Sequence, residues 1–556
     1  MSAETIWTNA RIRTLDPARP WARAMLVRDG KIVCVGEESD AAAAAGAGAR
    51  RHDLHGRFLM PGMIDSHTHA LWGGRRDLFE CFVGYAATLD QLLAAVAARA
   101  NTLPEGTWIE GGPWRFEHVA QLGDSPRAVL DRIAPRHPVA LKDTTQHNLW
   151  ANSLALSAAR ISRDSADPHG GRIGRDASGE PDGALFESGA TPVRNALVVT
   201  SEQNAQAAAY VAKAFHALGI TGFKEPMAIE SDLATYCAAD AAGALNLHVS
   251  CHLVRQSPLA DDFTPYETLL AWRNAYSRGN IRADCAKLFL DGVAPSLTAS
   301  FLDPYLPGSG PGYDPARYDA DAILQLSPQR ICEEVTALDR LGFTVKMHAV
   351  GDRAVRAGLD AIEAARAANG ESGLRHEIAH TPFVHEDDMP RFRALGAVAE
   401  VSPKLWFPNA ITAGQIAVLG AERTQRCHPI RSLMAAGAEL VYGSDWPAAA
   451  PDVDPWIGLS GMLTRRHPND AYPGSVGPNE AVGLDEALPL FTVNGARAMG
   501  REALTGALKP EYSADFIVLD RDLYAIAPEA VAETRVLMTV FSGEVVMERS
   551  PQETGP

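Results

Sequence analysis

The chain has 556 residues and carries 51 Lys+Arg against 68 Asp+Glu, a formal net charge of −17. That length exceeds one small module and accommodates a large α/β barrel with a second, smaller domain. A hydrophobic fraction of 46% and a charged fraction of 21% are ordinary globular usage and exclude a disordered or collagen-like chain. The acidity argues against a nucleic-acid or anionic-membrane surface, whose footprint is basic.

The amino terminus, MSAETIWTNARIRTLDP, has no basic segment followed by an apolar one, so no secretory signal is expected. No apolar run reaches the roughly 18 residues of a membrane span, and a cytoplasmic location is the expectation. Seven cysteines are scattered without a CxxC spacing, which argues against a disulfide framework and against a cysteine zinc ribbon. Residues 5–36 read as short strands, with Asp29-Gly30 as a hairpin turn. The same pattern returns in 514–522 and 536–548, with its own Ser542-Gly543 turn. Both termini, 1–58 and 500–556, are therefore expected to build one small β domain around a barrel domain spanning 59–499.

Between them, short apolar runs alternate with helical patterns. Strands are expected in 58–67, 219–226, 246–254, 285–293, 343–350, 375–380, 397–403 and 438–445. The segment 354–370 has Val355, Leu359, Ile362 and Ala365 on one helical face and an Asn369-Gly370 stop. This alternation predicts an α/β fold, a (β/α)8 TIM barrel, with a large insertion over 70–218. The run 138–143 is assigned to that insertion. The Gly-rich 308–315 has no GK[ST] after it and reads as a plain loop.

His67 and His69 follow the first of these strands. Residues i and i+2 point the same way on a strand, and the carboxyl ends of barrel strands open onto the active-site mouth. Two imidazoles there form half of a zinc site; alone, they also read as two polar residues at a strand end. His348 ends FTVKMH, His380 ends RHEIAH and Asp445 ends ELVYGSD. Each by itself fits a cap or a buried hydrogen-bonded group; together they point to a metal site. Lys287 lies inside an apolar strand, where a lysine is costly unless paired or chemically changed. Asp291 and Glu225 are its candidate partners. HEIAH (376–380) spells HExxH, but a metalloprotease needs it on a helix. Glycines 370 and 373 upstream and Pro382 downstream favour a strand instead.

The segments PGMIDSHTHA, KLFLDGV, MHAVGDRAV, IAHTPFV and YGSDWP resemble the amidohydrolase superfamily, in the branch that includes N-substituted formamide deformylases and YtcJ-like proteins. HNLWANSLAL, GRIGRDASGEPDGALFE, LFTVNGARAMG and ADFIVLDRD agree with it. The resemblance implies a metal-dependent hydrolase whose barrel carries a flanking β-sandwich. By position, His67, His69 and Asp445 would hold one metal, His348 and His380 a second, and Lys287, carboxylated, would bridge them. Zinc is the expected metal, two ions per chain or one; other divalent metals accept the same ligands.

In this reading a metal-activated water attacks an amide-type C–N bond that is not a peptide bond. Asp445 serves as ligand and general base. His147 and Arg353 are candidate catalytic residues for stabilising the oxyanion, with a structural role as the alternative. The second strand ends in GFKEP, which puts Lys224 near the barrel mouth as a candidate substrate contact; a surface pair with Glu225 is the alternative. Trp72, Trp114 and Trp446 are candidate substrate-binding residues suited to a small hydrophobic N-substituted amide, or else packing residues of the insertion. Ester or lactone hydrolysis, or lyase or hydratase chemistry, fits the same scaffold. A non-catalytic relative would lack ligands, and none is missing. The expected partner is a small molecule, not nucleic acid or membrane, and a homodimer is the expected assembly.

Overall fold

Gly62 marks the point where the chain passes from one architecture to the other. The computed structural model describes residues 4–549 apart from 86, 116–117, 119–121, 123–124, 145, 147, 169–170, 258–262, 311, 403, 405 and 470–471. The run 58–67, expected as a single strand, is two: Phe58–Pro61 pairs within the β domain and Met63–Asp65 opens the barrel. A Cβ on residue 62 would lie 2.2 Å from Thr221 Oγ1, so only glycine passes there without displacing a neighbour.

Eight parallel strands form the barrel sheet. In order they are Met63–Asp65, Ile220–Ala228, His248–Val254, Ile281–Phe289, Thr344–Ala349, Glu377–His380, Val398–Val401 and Glu439–Tyr442, called strands one to eight. The last turns back on the first: the Ser66 amide donates to the Tyr442 carbonyl at 2.7 Å, and the Asp445 amide to the His67 carbonyl at 2.7 Å. HEIAH is thus a strand, not a protease helix. Helix Asp352–Asn369 buries the expected face, including Val355, Leu359 and Ile362, and stops at Gly370.

The termini build a four-stranded and a six-stranded sheet. Trp7, Met25, Leu59, Phe516 and Val518 share one buried core, which makes the β domain a sandwich. Both turns read from sequence have positive φ at both central residues, 50° and 78° at Asp29-Gly30 and 47° and 80° at Ser542-Gly543. These are the values a type I′ hairpin requires. The turns abut, and a Cβ on Gly30 would sit 2.6 Å from the Ser542 carbonyl oxygen.

A second compact unit comprises residues 70–211 and 446–452. It is narrower than the expected 70–218 insertion and adds the segment just after Asp445. Its own six-stranded sheet includes Val139–Asp143, the run assigned to the insertion. Its core contains Leu92, Val96, Leu130, Trp114 and Trp150. Among the described residues, no helix is long and apolar enough to cross a membrane.

Asp515 ties the sandwich to the barrel. Its buried carboxylate accepts from His248 Nε2 of strand three at 2.9 Å, Thr505 Oγ1 at 2.7 Å, Ser513 Oγ at 2.7 Å and the Ser542 amide at 2.8 Å. Burial alone would raise its pKa; the His248 imidazole and these hydrogen bonds outweigh burial and hold it below the usual carboxylate range. Such a group stabilises fully above its unfolded pKa of about 3.9 and loses that contribution as pH falls through its lower folded value. Asp515→Asn is therefore expected to cost about 1–3 kcal/mol near neutral pH. The gap to the parent should shrink below about pH 4. Unfolding measured at pH 7 and pH 3 checks this, and an undiminished gap at pH 3 would contradict it.

Candidate metal centre

The carboxyl ends of strands one, five, six and eight bring four imidazoles and one carboxylate together. The ring centroids of His67 and His69 are 5.6 Å apart, those of His67 and His380 4.7 Å, and those of His348 and His380 4.6 Å. Asp445 Oδ1 stands 3.4 Å from His67 Nε2 and 3.3 Å from His69 Nε2. The donor atoms of His67, His69 and Asp445 all lie within 4.8 Å of one another, as do those of His67, His380 and Glu400. Two of these positions have left-handed backbone, φ 73° at His380 and 51° at Asp445, and Thr381 follows at 37°. Non-glycine residues reach this region at a cost of order 1–3 kcal/mol, and such strain concentrates at functional sites.

The hydrogen bonds assign the lone pairs. His67 Nδ1 is bonded to Glu400 Oε2, which as a carboxylate can only accept. Burial, with the charges of Lys346 and Lys287, holds His67 well below the ordinary imidazole range, so the ring is neutral. Its proton is then on Nδ1, and the Nε2 lone pair faces the Asp445 oxygen. Two acceptors at 3.4 Å repel unless a cation lies between them. On strand five, His348 Nε2 donates to the Gly292 carbonyl at 3.1 Å, which turns the lone pair of Nδ1 toward His380 Nε2 at 3.0 Å. His380 Nδ1 meets Ser402 Oγ at 2.9 Å, and burial and His348 hold its pKa well below the usual range. Two further buried atoms, Glu400 Oε1 and His252 Nε2, have no hydrogen-bond partner. Imidazole and carboxylate donors in this arrangement fit a divalent cation of the zinc type.

Lys287 lies in the same barrel interior and is 1% exposed. Neither sequence candidate pairs with it. Asp291 accepts the amides of Ser300, Val350 and Gly351 at 2.9, 3.0 and 2.8 Å. Glu225 accepts the Tyr236 hydroxyl at 2.7 Å and stands 3.7 Å from His69 Nδ1. Among the described residues Lys287 forms no ion pair, and its amine stacks 4.8 Å from the Phe289 ring. Burial, aided by Lys346, pulls its pKa down to about 7 against the pull of Glu400 and Asp445. Burial raises the Asp445 carboxyl, against the opposing effect of His69.

Other sequence candidates sit elsewhere. Lys224 is neither a surface residue nor at the mouth: it is fully buried, bonded to Glu377 and to the Ala498 carbonyl. Arg353 pairs with Asp321 at 2.7 Å. His147 lies outside the described residues. Trp114 is fully buried in the core of the insertion unit, its Nε1 donating to the Leu141 carbonyl at 2.8 Å. Trp446 packs over Gly73, where a Cβ would lie 2.2 Å from the ring. Both rings are thus packed against protein neighbours. Trp72 is half-buried, with the Lys142 amine 5.7 Å from its ring. Glu400 was missed from sequence, as were Lys346 and Glu377. The signal was present in each: a charged residue inside an apolar strand, as in TVKMH, HEIAH and AVAEV.

A metal that binds only the folded chain stabilises it by mass action. Zinc at about 100-fold over its dissociation constant is expected to add about 2.7 kcal/mol to the parent. A thermal melt with and without chelator reads this, and His69→Ala should blunt the response. Equal melts in zinc and chelator would contradict the assignment.

The profile of the amidohydrolase family matches residues 51–547. An N-substituted formamide deformylase of Arthrobacter pascens is 29% identical over 560 residues, covering 98% of each chain. The YtcJ protein of Bacillus subtilis (strain 168) is 28% identical, across 98% of this chain and 100% of that one. A metal-dependent hydrolase from Pyrococcus horikoshii OT3, itself uncharacterized, has the same fold, with a TM-score of 0.75 at 21% identity over 95% of this chain and 99% of that one. A match over nine-tenths of the sequence, on a barrel whose strand ends carry these ligand-type side chains, leads to one statement: the chain belongs to the amidohydrolase family.

Proposed function

We propose that this hydrolase cleaves the C–N bond of a small N-substituted amide, with formamides the first class to try, using a metal held by His67, His69 and Asp445 and a second held by His348 and His380. The observation that carries the reading is the convergence of the His67 and His69 Nε2 atoms on Asp445 Oδ1 at 3.4 and 3.3 Å. The amide class is supported by the deformylase relative. Trp114 and Trp446 are buried against protein neighbours, which leaves the half-buried Trp72 as the aromatic side chain behind the apolar preference.

When bound, a divalent cation at these ligands polarises a carbonyl and acidifies a water. The chain's own residues do the rest. Asp445 uses Oδ1 toward the two imidazoles, so Oδ2 is the oxygen suited to take the proton of the attacking water and pass it to the leaving nitrogen. His67 remains a neutral donor, and its bond to Glu400 keeps the ring from turning. Lys287, unpaired and with its pKa near 7, has an amine suited to carbamate formation. Reaction of that amine with carbon dioxide, with loss of one proton, would give a carbamate and so supply the anionic ligand that the resemblance implies. Lys224 and Lys346 are committed to carboxylates and do not compete for this role.

Asp445→Asn is expected to lower kcat by about 10²–10⁴-fold while at least one metal stays bound. Near-parental turnover would remove Asp445 as the base. The substrate class is read from a panel of N-substituted formamides, other small amides, esters and lactones assayed with the metal-loaded chain. Faster turnover of the amides supports the reading, whereas turnover confined to esters or lactones overturns the bond assignment.

A further inference from the structure

The floor of the barrel holds four charged side chains in alternating sign, all 0% exposed: Lys224, Glu377, Lys346 and Glu400. They come from strands two, six, five and seven. Lys224 Nζ donates to Glu377 Oε1 and, at 2.9 Å, to the carbonyl of Ala498, the last residue of helix Val493–Ala498. Lys346 Nζ stands 3.1 Å from Glu377 Oε2 and 3.7 Å from Glu400 Oε2. Glu400 Oε2 in turn meets His67 Nδ1. Lys346 also donates to the Ser66 carbonyl at 2.6 Å.

Stability alone is a poor reason for this arrangement, because a buried ion-pair layer is often replaceable by apolar residues of similar volume at no cost. What distinguishes it is where it ends. Lys346 grips His67 from two sides, through the backbone carbonyl just before it and through the carboxylate bonded to its ring. A carboxylate behind an imidazole fixes the tautomer and ring plane and raises the basicity of the far nitrogen. Glu377 holds Lys346 in place, and Lys224 links Glu377 to the end of helix Val493–Ala498.

We propose that the Lys224–Glu377–Lys346–Glu400 ladder is a positioning device for a metal ligand. It keeps His67 in the Nδ1–H tautomer with Nε2 presented to the cation shared with His69 and Asp445. None of the four touches substrate or metal in this role; Glu400 acts through His67, and the other three act through Glu400 and the Ser66 backbone. The inference rests on the metal reading given above.

The test is metal affinity, measured on the full chain by competition for zinc with a chelator, together with the visible absorption of the cobalt-loaded protein. Glu400→Gln is expected to weaken the metal at the His67 ligands by about 10–100-fold and to change the cobalt bands, while the affinity at His348 and His380 stays at the parental value. Glu400→Gln leaves Lys346 with one carboxylate fewer, so a second variant, Lys346→Met with Glu400→Gln, removes one cation and one anion together and keeps the layer neutral. It should show the same loss. Folded variants with parental affinity and parental cobalt bands would overturn the proposal. The tautomer is read independently in the parent, by histidine-selective ¹⁵N spectra of the zinc-loaded chain with His67→Gln for assignment. A His67 proton on Nδ1 is expected, and one on Nε2 overturns the proposal whether or not the variants fold. A parent that binds no divalent metal defeats both this inference and the metal reading, whereas a parent that binds metal and variants that bind it equally well defeat only the ladder.

Discussion

The Nε2 lone pair of His67, the Nε2 atom of His69 and a carboxylate oxygen meet at one point. His67 has spent its N–H on Glu400, and Asp445 Oδ1 faces its bare Nε2 at 3.4 Å while His69 stands 3.3 Å away. In water such groups would turn apart. Here they are held by a closed sheet, by the Asp445 amide bonded to the His67 carbonyl and by left-handed backbone at Asp445 and His380. The fold holds these donor atoms together, and a divalent cation is a partner that satisfies them at once.

The lysines of the barrel illustrate how position decides chemistry. Lys287, Lys346 and Glu377 lie in one row across adjacent strands, with Lys287 opposite Lys346 and Lys346 opposite Glu377. Burial pulls Lys346 down, but the carboxylates of Glu377 and Glu400 outweigh it and hold its pKa above the ordinary range. Lys287 has no such partner and falls to about 7. Two equally buried amines on adjacent strands are thereby pushed in opposite directions, one held in its charged form and the other drawn toward its neutral form.

Much of this was legible in the sequence because strand periodicity and strand ends are local signals. The barrel runs, both hairpin turns and the grouping of His67, His69, His348, His380 and Asp445 at strand ends could be read one segment at a time. Lys224 could not. The sequence puts it at the mouth because the apolar pattern of strand two stops at Glu225 and Pro226, whereas the strand runs on to Ala228. Its true partners are 153 and 274 residues away. Glu400 was passed over because a single carboxylate in an apolar run carries no spacing pattern. Trp114 and Trp446 misled for a related reason: an aromatic side chain reads the same from sequence whether it faces a ligand or a neighbouring backbone, and only its burial separates the two.

The account stands or falls on metal. Elemental mass spectrometry of chain purified without chelator or affinity-metal carry-over measures it directly. The account predicts about two divalent ions per chain, as a two-metal hydrolytic site requires. About one would leave the His67, His69 and Asp445 site and remove the bridging role of Lys287. None, with no activity gained on adding metal, would contradict the central claim.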